Sequence, residues 1–285
     1  MTHSPNAIRA LLAEHGLDPS RALGQNFMAD GNTVRAIARQ AGVGPGDRVL
    51  EIGAGLGSLT LALLETGAAV TAVEVDRHLA PILREVAAGA TVVEADAMHL
   101  DWGALLGPPD PARPWVLVAN LPYNIATPLV LDLLEDAPAV ARMLVLVQLE
   151  VAERLAAGPG TKAYGIPSVK RAWWAEATIV RKVGRTVFIP QPRVDSALVE
   201  VVRRPPAGDE AQRASVFSLV EAGFGQRRKM LRRSLADRVT VAQLEAAGIR
   251  PEARAEELEL EDWQRLSDVC VASAPPSGPE ATQTW

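Results

Sequence analysis

Between residues 46 and 148 short apolar runs alternate with helical stretches, and no other feature restricts the possible folds as much. Runs at 49–52, 70–75, 91–95, 115–119 and 143–148 read as strands, with helices predicted over 58–65 and 77–88 that stop at Gly67 and Gly89. That order builds a parallel sheet with crossover helices. Each run is nearly all apolar, as strands covered on both faces must be. Two later runs, 176–181 and 197–202, are expected to complete a mixed sheet. After Pro205 and Pro206 only helical patterns remain, over 212–222, 227–236, 241–247 and 260–271. The chain thus reads as an α/β domain over 1–204, with an extension 1–45 ahead of the first strand, and a small all-α domain over 205–272. A Pro/Ser/Gly/Thr-rich tail over 273–285 is expected to be disordered.

Composition removes several classes of protein. With 48% apolar and 22% charged residues the chain can bury a core. One cysteine, Cys270, excludes a disulfide scaffold, and His3, His15, His78 and His99 never fall at metal-ligand spacing, so no metal is expected. No apolar run reaches the ~18 residues needed to cross a bilayer. The reading is a cytoplasmic protein without a membrane partner, and nothing in it suggests more than a monomer.

Net charge is −5, from 29 basic and 34 acidic residues, so it does not announce a nucleic-acid partner. Its distribution says more. Arg227, Arg228, Lys229, Arg232, Arg233 and Arg238 face a single nearby acid, Asp237. A second basic stretch holds Lys170, Arg171, Arg181, Lys182, Arg185 and Arg193. Each can be an ordinary solvated face; two of them in an acidic chain suggest a polarised surface.

The first strand runs into Glu51-Ile52-Gly53-Ala54-Gly55-Leu56-Gly57-Ser58 and then a helix, which is where an open α/β sheet binds ligands. A dinucleotide fingerprint needs its third glycine at position 58, which is serine, and a Walker loop needs a G-K-[ST] that is missing. A tight strand-to-helix turn is the plainer reading. Glu74, 21 residues past Gly53, ends the second strand where a carboxylate accepts ribose hydroxyls, and Asp96 ends the third where it can accept an adenine amine. Two carboxylates beside a three-glycine turn suit S-adenosylmethionine, a sulfonium cation without phosphate.

The fourth strand ends in Asn120-Leu121-Pro122-Tyr123-Asn124. An exocyclic adenine amine is a poor nucleophile because its lone pair is delocalised into the ring. Two acceptors, the side-chain oxygen of Asn120 and the backbone carbonyl of Leu121, held outward by Pro122, can take its two N–H groups and free the lone pair. Tyr123 can stack on the displaced base. A strand end followed by a proline turn, with Asn120 capping, is the alternative. Scarcity of aromatics weighs against it, because Tyr123, Phe27 and Phe188 are all expected in polar or Pro-rich loops instead of core elements.

Read together with Leu23-Gly24-Gln25-Asn26-Phe27, Asp96-Ala97-Met98, Lys162-Ala163-Tyr164-Gly165, Phe188-Ile189-Pro190-Gln191-Pro192-Arg193-Val194-Asp195-Ser196 and Phe224-Gly225-Gln226-Arg227-Arg228-Lys229, these motifs make the chain resemble the rRNA adenine dimethyltransferases. The resemblance covers about residues 20–270, and its wording fits the small-subunit group better than the large-subunit, antibiotic-resistance group. It implies a Rossmann-like class I methyltransferase that uses S-adenosylmethionine to dimethylate N6 of two adjacent adenosines near the 3′ end of 16S rRNA. The implied substrate is the assembling small subunit (the pre-30S particle), with no DNA partner. The resemblance further implies donor contacts from Asn26, Met28, Gly53, Glu74, Asp96 and Asn120, base stacking shared by Phe188 and Tyr123, and RNA phosphates on Arg227, Arg228, Lys229, Arg232 and Arg233. Met28, Ala126 and Met230 stand where the family usually has leucine, serine and threonine; none is an acceptor in the amine cradle. A large-subunit dimethyltransferase, or an assembly factor whose binding matters more than methylation, remains an alternative.

Overall fold

The computed structural model describes residues 3–20 and 22–273. They divide into two compact units: one formed by the chain up to Ala157 together with Trp174–Pro205, the other by Gly158–Trp173 and the residues after Pro205. Nine strands are present among the described residues: β1 (Phe27–Met28), β2 (Arg48–Ile52), β3 (Ala69–Glu74), β4 (Thr91–Glu94), β5 (Trp115–Asn120), β6 (Val140–Gln148), β7 (Ala175–Val183), β8 (Phe188–Ile189) and β9 (Ser196–Arg203). The helices of the first unit are α1 (Pro5–Glu14), α2 (Gly31–Ala41), α3 (Ser58–Leu64), α4 (Leu79–Val86), α5 (Trp102–Leu106), α6 (Ala126–Asp136) and α7 (Leu149–Ala156).

Seven strands form one sheet in the order β4-β3-β2-β5-β6-β9-β7. Strands β2 to β6 are parallel, and β9 runs antiparallel to both β6 and β7. The chain winds outward from β2 in one direction and from β5 in the other, so the crevice between the C-terminal ends of β2 and β5 is the topological switch point. The apolar runs follow from the two-sided burial. Leu117 and Ala119 of β5, with Met143, Val145 and Val147 of β6, join the core on one face; Val116, Val118, Leu144 and Leu146, alternating with them, join the core on the other. Arg203, the last residue of β9, donates to the carbonyls of Leu133, Leu134, Ala137 and Val140 and so closes the C-terminal end of α6.

Helix α2 is fixed at both ends, by the Asp30 carboxylate accepting from Thr33 N–H at 2.6 Å and by Gly42 at φ 61°. Its Val34, Ile37 and Ala38 pack on the sheet. The segment ahead of it is drawn in by pairing Phe27 with Ile189 and Met28 with Phe188, and Ala29 N–H donates to Val187 O at 2.7 Å. Phe27 and Phe188, expected in loops, are therefore each in a paired strand and buried, because contacts with residues far away in the sequence supply the partners that neither segment's own pattern shows.

The second unit holds α8 (Ile166–Trp174, whose last residue belongs to the first unit), α9 (Glu210–Gly225), α10 (Leu231–Ser234), α11 (Val241–Ala246) and α12 (Leu260–Ala272). Two expectations change here. Residues 158–173, read as part of the first domain, belong with the helices: Trp173 and Tyr164 meet Phe217 and Phe224 edge-on, and Tyr164 Oη donates to Leu258 O at 2.8 Å. The helix predicted over 227–236 forms only as the single turn α10. Arg227 and Arg228 lie in a turn and Lys229 in a bend after α9, with the Arg227 and Lys229 amides donating to the carbonyls of Phe224 and Gln226. Of the tail expected over 273–285, Ser273 closes α12 and the rest lies outside the described residues.

Candidate active site

A cleft opens at the switch point, between the loop after β2, the end of β3, the end of β5 and the segment 23–28. Gly53 has φ 71°, a conformation that L side chains rarely adopt, and a Cβ there would lie 3.3 Å from Pro122. A Cβ on Gly55, at φ 57°, would meet the Phe27 ring at 3.0 Å. The glycines thus let the loop after β2 lie directly against both Pro122 and Phe27. Glu74 is buried and accepts from Gly55 N–H at 2.7 Å through one oxygen and from Asp76 N–H at 2.9 Å through the other. Each oxygen keeps a second lone pair, as a ribose acceptor requires. Burial pushes the Glu74 carboxyl up, and these two amides oppose the rise.

Asn120 projects from the last position of β5. Its side-chain NH₂ donates to the backbone carbonyl of Asn26 at 3.0 Å, an acceptor that can only face a donor. The amide orientation is fixed by that bond, and Oδ1 is left buried without a partner. Tyr123 follows Pro122 in the turn before α6, half-buried, its hydroxyl 2.9 Å from the Ser196 hydroxyl on β9.

Glu51, on β2, contributes a second carboxyl. It is almost fully buried, its Oε2 has no partner, and burial pushes its pKa up to about 8, helped by the Glu74 charge and opposed by the Thr60 hydroxyl. Ser58 Oγ, also lining the cleft, is unpartnered too. The described residues that line the cleft include two carboxyl groups and no lysine, arginine or histidine. Such a site has acceptors for a cation and for hydroxyls but nothing to neutralise a phosphate. These groups fit S-adenosylmethionine better than a dinucleotide.

The ribosomal RNA adenine dimethylase family model matches residues 18–271. The chain belongs to this family. Among its adenine dimethylase relatives, the ribosomal RNA small subunit methyltransferase A of Streptomyces coelicolor is 48% identical over 273 residues, covering 93% of this chain and 95% of the relative. The protein of the same name from Thermobifida fusca is 47% identical, with 93% and 95% covered. Of solved structures, the 23S rRNA methyltransferase ErmE is 32% identical with a TM-score of 0.63, covering 86% of this chain and all (100%) of that one. A dimethyladenosine transferase from Plasmodium falciparum, 23% identical with a TM-score of 0.68 over 84% and 95% of the two chains, shares the α/β fold.

Of the site residues expected from the sequence, the cleft gathers Asn26, Met28, Gly53, Glu74, Asn120, Leu121, Pro122 and Tyr123. Asp96 is not brought into its lining. It is exposed beyond β4, with Oδ1 accepting from Met98 N–H and Oδ2 paired with His99, each at 2.9 Å, contacts that hold its carboxyl below the usual range. Phe188 is 2% exposed and packs in the core beside Met28, so its ring offers no open face to a base in this conformation. Arg227 is likewise occupied, donating to Glu256 and to the Lys162 carbonyl, both at 2.8 Å, and Arg232 lies 3.6 Å from Glu252. Arg228, Lys229 and Arg233 are exposed. Sequence reasoning misses Glu51 as a site residue, although a signal for it exists, a lone acid inside the apolar run Val49-Leu50-Glu51-Ile52. Among the described residues no three His, Cys, Asp or Glu side chains are grouped to hold a metal ion, and no helix is long and apolar enough to cross a membrane.

Proposed function

We propose that the chain transfers methyl groups from S-adenosylmethionine to N6 of two adjacent adenosines near the 3′ end of 16S rRNA, in a small subunit still being assembled in the cytoplasm. The observation that carries the reading is the unpartnered Oδ1 of Asn120, tethered by its own NH₂ to Asn26 at the wall of a cleft whose described lining holds acids and no base. The names of the relatives from Streptomyces coelicolor and Thermobifida fusca support the small-subunit substrate.

When bound, S-adenosylmethionine supplies an electrophilic methyl carbon on a good leaving group. The chain's own work is positioning. Asn120 Oδ1 and the Leu121 carbonyl accept the two amine N–H groups in the first transfer, and one of them accepts the remaining N–H in the second, so the nitrogen lone pair leaves conjugation and turns toward the methyl carbon; as each N–C bond forms the sulfur–methyl bond breaks, and one N6 proton is lost to solvent. Tyr123 stacks on the base, a contact worth about 1 to 3 kcal/mol. Glu74 takes ribose hydroxyls, Gly53 admits the donor close to the backbone, and Asn26 and Met28 close the donor's flank. Arg228, Lys229 and Arg233 meet RNA phosphates.

The likeness to ErmE favours a second reading, methylation of 23S rRNA. One experiment separates the two. The full chain is incubated with labelled donor and with small or large subunits from cells lacking these modifications, and the modified nucleosides are mapped by mass spectrometry. Dimethyladenosine at the two adjacent 16S positions is expected; label confined to 23S rRNA, or to neither RNA, overturns the proposal.

A further inference from the structure

A second concavity lies in the first unit, at the same edge of the sheet as the cleft but on the other side of β5 from β2 and β3. Its volume is about 500 Å³, and Gln148, Glu150, Arg185, Arg193, Val194 and Asp195 border it. Gln148 ends β6 and pairs with Ser196, the residue whose hydroxyl meets Tyr123, and Leu149 N–H donates to Asp195 O at 3.0 Å. The groove therefore begins one residue beyond the wall that holds Tyr123. Strands β6 and β9 separate Asn120 from its far side, about 10 Å at the usual strand spacing.

Its chemistry differs from that of the cleft. Arg185 and Arg193 are exposed, and neither is in an ion pair among the described residues. Arg181 and Lys182 extend the positive edge along β7. Helix α7 starts at the groove, and its first-turn amides receive no cap from the Gln148 side chain. Of the acids, Glu150 is paired with Arg154 at 2.6 Å, and Asp195 accepts from Arg185 N–H at 3.1 Å. Glu153 stands exposed at the rim, an acceptor suited to a base amine. Val194, 46% exposed, offers an apolar platform.

Resting on the reading that an RNA adenosine enters at Tyr123, we propose that this groove holds the adjoining nucleotide of the same RNA strand, its phosphate on Arg185 and Arg193. The donor half of the crevice lies over β2 and β3, where the described lining has two carboxyl groups and no basic side chain to receive a phosphate. The backbone leaves the other way, over β6 and β9. In this arrangement one adenosine of an adjacent pair occupies the cleft while its neighbour waits in the groove.

The test compares the wild-type chain with Arg185→Gln/Arg193→Gln, both changes being at exposed side chains, on small subunits lacking the modification. The expected result is a KM for the subunit raised about tenfold, with donor affinity unchanged. The salt slope of binding to a short single-stranded RNA of the target sequence should flatten by about 0.7, the value for one neutralised single-strand phosphate. An RNA carrying 8-azidoadenosine beside the target adenosine should crosslink within 148–153 or 193–195 of the wild-type chain. A variant with wild-type KM and slope, or crosslinks confined to other segments, overturns the groove proposal while wild-type methylation stands. Absence of wild-type methylation would instead sink the reading on which it rests.

Discussion

The NH₂ of Asn120 donates to the backbone carbonyl of Asn26 at 3.0 Å, joining the tip of β5 to a segment 94 residues earlier. That bond does two things at once. It pins the N-terminal segment over the donor cleft, and it turns Oδ1 into the cleft as an acceptor that no described residue uses. A buried, unsatisfied acceptor costs about 1 to 3 kcal/mol, a cost that a bound amine would remove.

Asn120→Ala should therefore lower the single-turnover methylation rate by about 10²- to 10³-fold, the range for loss of one preorganised polar group. Donor affinity, measured by calorimetry, should change much less. Asn120→Asp should fare no better, because a carboxylate would face the Asn26 carbonyl without a proton to donate. A variant that turns over normally would remove Asn120 from the reaction.

Tyr123 and Ser196 give a graded prediction. Their hydroxyls meet at 2.9 Å, and burial pushes the Tyr123 phenol up, so it remains a neutral partner at physiological pH. Tyr123→Ala removes the stacking platform and should raise KM for RNA by about 5- to 150-fold. Tyr123→Phe and Ser196→Ala keep a ring in place and remove one hydrogen bond, about 1 kcal/mol, and should each cost less than tenfold. Equal losses in all three would mean that the ring does not act through stacking.

Much of this architecture is legible from pattern, and what is not has physical reasons. Four of the five parallel strands can be read because each is a largely apolar run, and the edge strand β4 because Val92 and Val93 sit at its centre. Asn120 to Tyr123 stand out because a polar residue and a proline interrupt the end of such a run. Strands β1 and β8 cannot be read, since two-residue strands have no periodicity and exist only through pairing 27 with 189 and 28 with 188. The helix expected over 227–236 rests on a helical pattern of side chains, yet that pattern says nothing about which amides will be bonded. Asp96 has the right place at a strand end, but Met98 N–H and His99 capture its oxygens locally, a competition that Asp side chains commonly win in turns.

The basic run should divide into two behaviours. Arg227 holds Glu256 and the Lys162 carbonyl within the second unit, so Arg227→Ala should lower stability by about 1 kcal/mol, allowing for its exposure, and leave the salt slope of RNA binding nearly unchanged. Arg228→Ala/Lys229→Ala should leave thermal stability intact and reduce that slope by about 0.7 to 0.9 for each phosphate no longer neutralised. Filter binding across a salt series, beside denaturant melts, separates the two. A flat response in both variants would return the run to an ordinary solvated turn.

Glu51 sets the pH behaviour of the cleft. Its carboxyl is raised to about 8, so between the unfolded value near 4.5 and that folded value the native chain binds more protons than the unfolded one. Its contribution to stability is therefore fully present below the unfolded pKa, falls as pH rises through this window, and levels off above about 8. Glu51→Gln, which mimics the protonated form, should remove most of this slope from urea melts taken between pH 5 and about 8.5. Ligand binding should show the opposite trend. A cation in the cleft favours ionised Glu51, so affinity for S-adenosylmethionine should climb as pH approaches about 8, and the climb should vanish in Glu51→Gln. Affinity for an uncharged donor analogue should gain much less from the same rise in pH. If the wild-type chain binds S-adenosylmethionine with no pH dependence across this range, Glu51 does not sense the donor's charge.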